Sequence, residues 1–232
     1  MPDGWPEALI FDVDGTLAET EELHRRAFNA AFADAGLRWN WSQDDYRALL
    51  TTTGGKERIA RYVTERGGDP ATVPVAELHK AKTAHYVDLM ARGQIALRPG
   101  IADLIDEARA AGRRLAIATT TSPANVEALC LAVFGKPAAQ VFDVIAAGDE
   151  VPAKKPAPDI YLLALQRLGL TADRAVALED SRNGLRSARA AKLACVVSPG
   201  VYTAGEDFSA ATLVLGCFTD LGGLAGLSAV RT

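Results

Sequence analysis

Short runs of apolar residues recur along the chain, and each run ends at small or polar residues. They cover residues 8–11, 115–118, 141–145, 175–178, 194–197 and, more weakly, 213–215. Continuous apolar runs of this length are typical of strands that are buried on both faces of a sheet. We therefore predict five or six buried strands.

Helical patterns lie between these runs. Apolar residues follow a helical period over 101–108 and 160–168, and Ser122 followed by Pro123 is typical of a helix start. Strands that alternate with helices indicate a doubly wound parallel sheet of the α/β class, with right-handed crossovers. Ligands of such sheets bind beyond the carboxyl ends of the strands.

The stretch from 18 to 97 breaks this alternation because it contains no buried-strand run. Its helical patterns cover Glu21–Gly36, Asp44–Leu50, Lys56–Arg66 and Val75–Arg92. We predict a helical cap domain over 18–97, inserted into a catalytic core that comprises 1–17 and 98–232.

The composition is that of an ordinary globular chain. Of the 232 residues, 49% are hydrophobic and 23% are charged, and the net charge of −4 disfavours non-specific nucleic-acid binding. Cys130, Cys195 and Cys217 each lie in an apolar run, which predicts buried free thiols rather than disulfides. We see no signal peptide or membrane span, and expect a cytoplasmic monomer without nucleic-acid or membrane partners.

Two carboxylates follow the first predicted strand. Asp12 and Asp14 lie two positions apart, so their side chains point the same way from an ending strand. Carboxylates held close together repel each other, and a divalent cation such as Mg²⁺ relieves that repulsion. Gly15 then permits a turn. An acidic turn without chemistry is the alternative.

A second acidic pair, Glu179 and Asp180, follows the predicted strand over 175–178. Asp180 or Ser181 could instead cap the next helix. Because both acidic strand ends face the same crevice of a parallel sheet, we favour a shared metal site.

Hydroxyl and ammonium groups follow two further runs. Thr119, Thr120 and Thr121 precede a helix start, where hydroxyls and backbone amides bind anions, although a plain turn has the same pattern. Lys155, in the sequence Lys154-Lys155-Pro156, can neutralise a phosphate or a carboxylate, whereas a lone lysine is more often a solvated surface charge.

Together these motifs resemble the haloacid dehalogenase superfamily. The resemblance rests on DVDGT at 12–16, on Thr119, on Lys155 and on EDS at 179–181, in this order along the chain. The continuations KPAPDIY and LEDSRNGL resemble the subfamily that includes β-phosphoglucomutase and sugar-phosphate phosphatases, and the 18–97 insertion matches its helical cap.

This resemblance implies a Mg²⁺-dependent phosphatase. Asp12 would attack phosphorus to form an aspartyl phosphate, and Asp14 would act as general acid and then as general base. Thr119 and Lys155 would hold the phosphoryl oxygens. The metal would be held by the side chains of Asp12 and Asp180, by the backbone carbonyl of Asp14, and by Glu179 in support.

Candidate substrate contacts lie mostly in the cap. They are Thr16, Glu19, Glu22, His24, Gly55, Lys56, Arg58, Arg98 and Thr120. A cluster of Lys56, Arg58 and Arg98 would suit a doubly phosphorylated sugar. The alternatives are a packed or surface histidine at 24, a plain turn at Gly54-Gly55 and a surface charge at 98. For His79 and His85 we favour a role outside the site.

The segments AETEELHRRAF and ATTTSPANV resemble the CbbY group, which is associated with carbon fixation and dephosphorylates xylulose 1,5-bisphosphate. The resemblance implies removal of the 1-phosphate to leave xylulose 5-phosphate. Three other interpretations remain: a sugar phosphomutase, a receiver-like phosphoacceptor domain that does not turn over substrate, and a structural protein with a degenerate site.

Overall fold

One sheet of six parallel strands organises the chain. The structure is a computed structural model that describes residues 6–93 and 95–230. The strands are β1 Ala8–Phe11, β2 Arg114–Thr119, β3 Val144–Ala147, β4 Ala175–Glu179, β5 Ala194–Val197 and β6 Leu213–Val214. Their order across the sheet is β3-β2-β1-β4-β5-β6, and all neighbours are parallel. The predicted fold class is therefore confirmed.

Nine α-helices accompany these strands within the described residues. They are α1 Glu21–Asp34, α2 Gln43–Leu49, α3 Gly55–Glu65, α4 Val75–Ala91, α5 Ile101–Ala110, α6 Pro123–Phe134, α7 Ala138–Val141, α8 Asp159–Leu168 and α9 Arg182–Ala190. Ser122 caps α6 by accepting a hydrogen bond from the Asn125 amide, as the sequence predicts. None of these helices combines the length and apolarity that a bilayer crossing requires.

Both faces of the sheet are covered, which explains the continuous apolar runs. Leu9 and Phe11 of β1 pack into a core with α5 and α6, whereas Ala8 and Ile10 pack on the opposite side with α8 and α9. Successive strand residues point to opposite faces, so an uninterrupted apolar run is required where both faces are buried.

β1 lies between β2 and β4, where the direction of strand succession reverses. The register pairs Phe11 with Ile117 on one side and with Leu178 on the other. The Asp12 amide continues the ladder by donating to the Leu178 carbonyl at 3.0 Å. The residues that follow β1, β2 and β4 therefore meet at one crevice, the usual ligand site of this architecture.

Two expectations from the sequence are wrong in detail. The run over 141–145 is not one strand, because Val141 ends α7 and β3 begins only at Val144. The Asp143 carboxylate accepts the Leu115 amide at 2.8 Å, which places this polar residue at the start of β3. Cys130 and Cys195 are buried free thiols, but Cys217 is partly exposed and not buried as predicted.

Between β1 and α5, helices α1 to α4 enclose a core of their own. Its buried members are Phe28, Phe32, Trp41, Tyr46, Leu49, Ile59, Tyr62 and Leu78. Where the chain returns, the Arg98 amide donates to the Leu17 carbonyl at 2.8 Å, so both ends of this segment lie together. The boundaries at 17/18 and 97/98 remain a prediction, and the predicted ranges include residues 1–5, 94, 231 and 232, which lie outside the described residues.

Phe32→Ala is expected to destabilise the helical segment by about 3–5 kcal/mol, because the ring is fully buried against Trp39 and Trp41. Urea unfolding followed by tryptophan fluorescence and by far-UV circular dichroism measures this loss. The control Leu162→Ala removes a side chain that is 49% exposed and should cost less than about 1 kcal/mol. Two coincident, unshifted transitions in Phe32→Ala would contradict the expectation.

Candidate active site

Three carboxylates meet where β1 and β4 end. Asp12, Glu179 and Asp180 are all buried, and each offers an oxygen within 4.8 Å of the others. The β1–β4 register sets this proximity, because Phe11 pairs with Leu178 and the next residue of each strand is acidic. The two predicted acidic strand ends thus come together in one cluster.

Lys155 lies inside this cluster. Its ammonium group donates to Asp12 Oδ1 and to Glu179 Oε1, both at 2.6 Å. The buried Tyr161 hydroxyl from α8 donates to the same Glu179 oxygen at 2.6 Å. Glu179 is fully buried and holds Lys155 in place, and Lys155 is not the solvated surface charge of the alternative interpretation.

The cluster carries an excess of buried negative charge. Three ionised carboxylates and one ammonium sum to −2, which is costly away from water. Burial, with Glu179 and Asp14 nearby, raises the pKa of Asp12 to about 8 despite the opposing effect of Lys155. Burial and the neighbouring Asp12 raise the pKa of Asp180 well above its usual range. A divalent cation bound through carboxylate oxygens supplies the missing charge, so the donor set fits Mg²⁺.

Gly15 is needed next to this cluster for two reasons. Its φ is +87°, and a Cβ at this position would overlap the Asp180 carboxylate. Gly184 is similarly close to Glu179. The loop after β1 can therefore approach the carboxylates only because it has no side chain there.

Asp14 faces a different environment from Asp12. Its Oδ1 accepts hydrogen bonds from the Thr20 hydroxyl and, at 2.8 Å, from His24 Nε2. Lys82 Nζ lies 2.6 Å from His24 Nδ1. An ionised carboxylate only accepts hydrogen bonds, so Nε2 carries the proton that Asp14 binds. Burial lowers the pKa of His24, which favours the neutral ring with Nδ1 as the acceptor. Burial raises the pKa of Asp14, but His24, Thr20 and Lys82 outweigh it and hold that pKa below its usual range.

A candidate anion site lies in the same cavity as Asp12, at the start of α6. Thr119, Thr120, Thr121 and Ser122 line the same cavity as Asp12, and that cavity has a volume of about 390 Å³. The Thr121 amide donates to Thr119 Oγ1 at 3.2 Å, which fixes the turn before the helix. Hydroxyls and a helix start together favour a phosphate group here.

The cavity reaches from the carboxylates to the helical segment. Some of the predicted substrate residues line its wall, and the others lie outside it. His24, Gly55, Arg58 and Thr120 line the cavity. Both ring nitrogens of His24 are already engaged by Asp14 and Lys82, and stacking on Tyr86 at 4.1 Å holds the ring. His24 therefore positions Asp14.

Four predicted contacts lie outside the cavity wall. Thr16 is fully buried, 3.4 Å from Asp180 Oδ1, and Glu19 accepts from the Val201 amide. Glu22 pairs with Arg25 at 2.6 Å. Lys56 pairs with the exposed Asp149 at 2.5 Å on the rim between α3 and the loop after β3. Each of these side chains is held by a protein partner.

The structure also places Arg98 outside the cavity wall. Its guanidinium donates to the carbonyls of Gly15, Ser198 and Pro199 and to the Ser198 hydroxyl, at 2.5 to 3.0 Å. Because the side chain is buried, the alternative of a surface charge at this position is wrong. Arg98 joins the loop after β1 to the loop after β5, and its donors are used there.

The sequence did not reveal several residues of the cavity wall. They are Glu21, His79, Lys82, Asn183 and Thr203. His79 was expected outside the site, but α4 brings it against Gly55, where burial and nearby lysines lower its pKa to about 4. Lys82 follows His79 by three residues, so a helical face shared by His79, Lys82 and Tyr86 was the available signal.

Gly15→Ala is expected to reduce divalent-cation affinity at least tenfold, because the added methyl group would displace the Asp180 carboxylate. Calorimetric titration with Mg²⁺ measures this. Gly36→Ala is the matched control, since Gly36 has a φ of +70° but no atom near an added Cβ. Equal loss in both variants would attribute the effect to backbone strain and would contradict the assignment.

Comparison with known proteins agrees with this geometry. The CbbY protein of Cereibacter sphaeroides is 65% identical over 221 residues, which are 95% of this chain and 96% of that protein. The crystal structure of CbbY from Rhodobacter sphaeroides with phosphate matches with a TM-score of 0.93 and 65% identity, over 96% of this chain and 99% of that one. An aspartate-to-asparagine variant of the same protein, in complex with xylulose-(1,5)bisphosphate, matches with a TM-score of 0.93 over 95% of this chain and 98% of that one.

A family model described as a haloacid dehalogenase-like hydrolase matches residues 6–192, which include every motif of the acidic cluster and of the anion site. The resemblance inferred from the motifs is confirmed: the chain belongs to the haloacid dehalogenase-like hydrolases.

Proposed function

We propose that this hydrolase is a Mg²⁺-dependent phosphatase that converts xylulose 1,5-bisphosphate to xylulose 5-phosphate and phosphate. One observation carries the proposal: Asp12, bound to Lys155 through Oδ1, shares one cavity with an anion site and with a carboxylate cluster that fits a divalent cation. The sugar is inferred from the 65% identical CbbY, whose variant binds xylulose-(1,5)bisphosphate.

In the first step, an Asp12 carboxylate oxygen attacks the phosphorus of the 1-phosphate. A new oxygen–phosphorus bond forms, and the bond from phosphorus to the sugar oxygen breaks. Lys155 keeps Oδ1 oriented, which leaves Oδ2 free of that contact. The hydroxyl of Thr119 and the amides at the start of α6 hold the phosphoryl oxygens while negative charge shifts onto the leaving oxygen.

Asp14 supplies a proton to the leaving sugar oxygen and accepts one from the water that attacks the phosphorylated Asp12. In the described geometry its pKa is low, so Asp14 is ionised, which is the form required by the water step. The proton-donating form requires a proton to reach Asp14, and His24 is the titratable side chain that donates a hydrogen bond to it, through Nε2 at 2.8 Å. Attack by water then releases phosphate and regenerates the Asp12 carboxylate.

Asp12 and Asp180 would hold Mg²⁺, with Glu179 in support through its bond to Lys155. When bound, the cation offsets the buried carboxylate charge and withdraws charge from the phosphoryl oxygens. Lys155 holds Asp12 and Glu179 with hydrogen bonds of 2.6 Å, so these two carboxylates need little reorganisation during the reaction.

The far end of the cavity supports recognition of a second phosphate. Arg58 is buried there, and its Nε has no hydrogen-bond partner among the described residues. Its NH1 donates to the Tyr46 hydroxyl at 2.8 Å, which in turn donates to Glu21 at 2.7 Å. Lys154 also lines the cavity, but its ammonium group is paired with Asp149 at 2.7 Å. We infer that Arg58, rather than Lys56 or Arg98, is the centre of the predicted cationic cluster.

Membership of a hydrolase family argues against a receiver-like or degenerate protein. A mutase would use the same carboxylates but return the phosphoryl group to sugar, so it remains an outcome that experiment separates. A cytoplasmic location and a monomeric state also stay predictions.

Incubation with xylulose 1,5-bisphosphate and Mg²⁺ should release one phosphate per sugar and leave xylulose 5-phosphate, detected by phosphate assay and by ³¹P NMR. Chelation of Mg²⁺ should abolish release. Asp12→Asn should remove activity by more than about 10³-fold while it keeps the fold, because the amide is not nucleophilic. Accumulation of an isomerised phosphate without free phosphate would instead establish a mutase.

His24→Asn should lower kcat/KM about tenfold at pH 7 and move the low-pH limb of the rate profile upward. Without the imidazole, burial dominates and raises the pKa of Asp14, so the ionised base is lost at a higher pH. Profiles between pH 5 and 9 measure the shift. His85→Asn is the control, since His85 pairs with Asp34 on the surface, and equal profiles for all three proteins would contradict this role.

A further inference from the structure

The loop after β5 spans the crevice between the sheet and the helical segment. We call residues 198–206 the bridging loop. Its first two residues are fixed to the core, because the buried Arg98 guanidinium binds the Ser198 and Pro199 carbonyls at 2.7 and 3.0 Å. The same guanidinium binds the Gly15 carbonyl, so the bridging loop and the loop after β1 share one anchor.

Thr203 of the bridging loop contacts Asp180, one of the carboxylates of the candidate cation site. Its hydroxyl accepts the Gly200 amide at 2.8 Å and lies 2.7 Å from the Asp180 carbonyl and 3.2 Å from Asp180 Oδ2. The hydroxyl has a single proton to share between these two Asp180 oxygens. Gly200 is also close, since a Cβ there would lie 3.0 Å from Asp180 Oδ2. The bridging loop therefore limits where the Asp180 side chain can be.

Tyr202, the preceding residue, reaches the helical segment. Its hydroxyl donates to Glu22 Oε2 of α1 at 2.6 Å, and its ring meets the Tyr46 ring edge to face at 5.7 Å between centroids. The Arg47 guanidinium lies 5.4 Å above the ring. Beside it, the Val201 amide donates to Glu19 at 3.2 Å. Tyr202 and Thr203, adjacent residues of one short loop, thus contact the helices that cover the site and Asp180, respectively.

We propose that the bridging loop couples the position of the helical segment to the cation site. Thr203 is a positioning residue for Asp180, and Tyr202 is the residue that contacts the helices. The inference rests on the proposed function for the identity of the cation site. When Tyr202 is bound to Glu22 and Tyr46, the loop is held with Thr203 on Asp180, which favours the ligand geometry. Coupling of this kind is reciprocal, so a bound cation also favours the arrangement in which Tyr202 contacts Glu22 and Tyr46.

Calorimetric titration of Mg²⁺ without substrate, at fixed pH and ionic strength, tests the coupling independently of turnover. Thr203→Val should weaken cation binding about tenfold, and Thr203→Ser, which keeps the hydroxyl, should restore it. Tyr202→Phe should weaken binding about threefold, although Tyr202 touches no carboxylate of the cluster. Tyr62→Phe is the control, because the ring of this tyrosine packs on Trp39 and Trp41 inside the helical core.

The double variant Tyr202→Phe, Thr203→Val decides between coupling and two separate effects. Coupling predicts a loss clearly smaller than the product of the two single losses, because both variants interrupt one connection. The proposal is overturned if the loss of Mg²⁺ affinity in the double variant equals the product of the two single losses, or if Tyr202→Phe binds Mg²⁺ as tightly as the wild type. Thermal unfolding of each variant checks folding, and Tyr202→Phe measured against Tyr62→Phe still decides if Thr203→Val does not fold. If the natural substrate is a different sugar phosphate, these Mg²⁺ affinities are unchanged. The coupling proposal and the substrate proposal can therefore fail independently.

Discussion

The buried excess of negative charge between β1 and β4 is the constraint on which the rest of the site depends. The strand register brings Asp12 and Glu179 side by side, and Asp180 and Lys155 lie next to them. All four side chains are buried, so water does not screen their charges. Such an arrangement is unfavourable unless a cation completes it. The lack of side chains at Gly15 and Gly184 and the hydrogen bonds from Tyr161 and Lys155 all serve to keep these oxygens in place.

Asp12 and Asp14 show how two carboxylates of one short motif acquire opposite properties. Burial beside other carboxylates raises the pKa of Asp12, whereas hydrogen bonds from Thr20 and His24 lower that of Asp14. In the proposed mechanism, Asp12 attacks phosphorus and Asp14 exchanges protons. Pairs of titratable groups whose environments separate their pKa values are typical of acid–base chemistry. Here the separation arises because Asp14 faces α1 while Asp12 faces β4.

The sheet could be predicted from the sequence because burial on both faces leaves a continuous apolar record in each strand. The proximity of the core residues could be predicted for a related reason. Asp12 and Asp180 directly follow strands, Thr119 ends β2 and Lys155 lies in the loop before α8, and the strand ends of a parallel sheet converge. Arg98 shows the limit of that reasoning. Its position at the return to the core suggested a phosphate contact, but only the packed structure reveals the carbonyls of Gly15, Ser198 and Pro199 that use its donors. Lys82 and Thr203 act on residues distant in sequence, which no local pattern records.

The hydrogen bond between the Arg98 amide and the Leu17 carbonyl has a consequence for how such enzymes can diversify. The chain leaves the sheet and comes back at almost the same point, so helices of other lengths or shapes could be accommodated there without moving any strand. Loop insertions whose ends are close together cost little stability. Substitutions in the helical segment can therefore change the choice of sugar while the residues around the sheet, which carry the phosphoryl-transfer chemistry, stay the same.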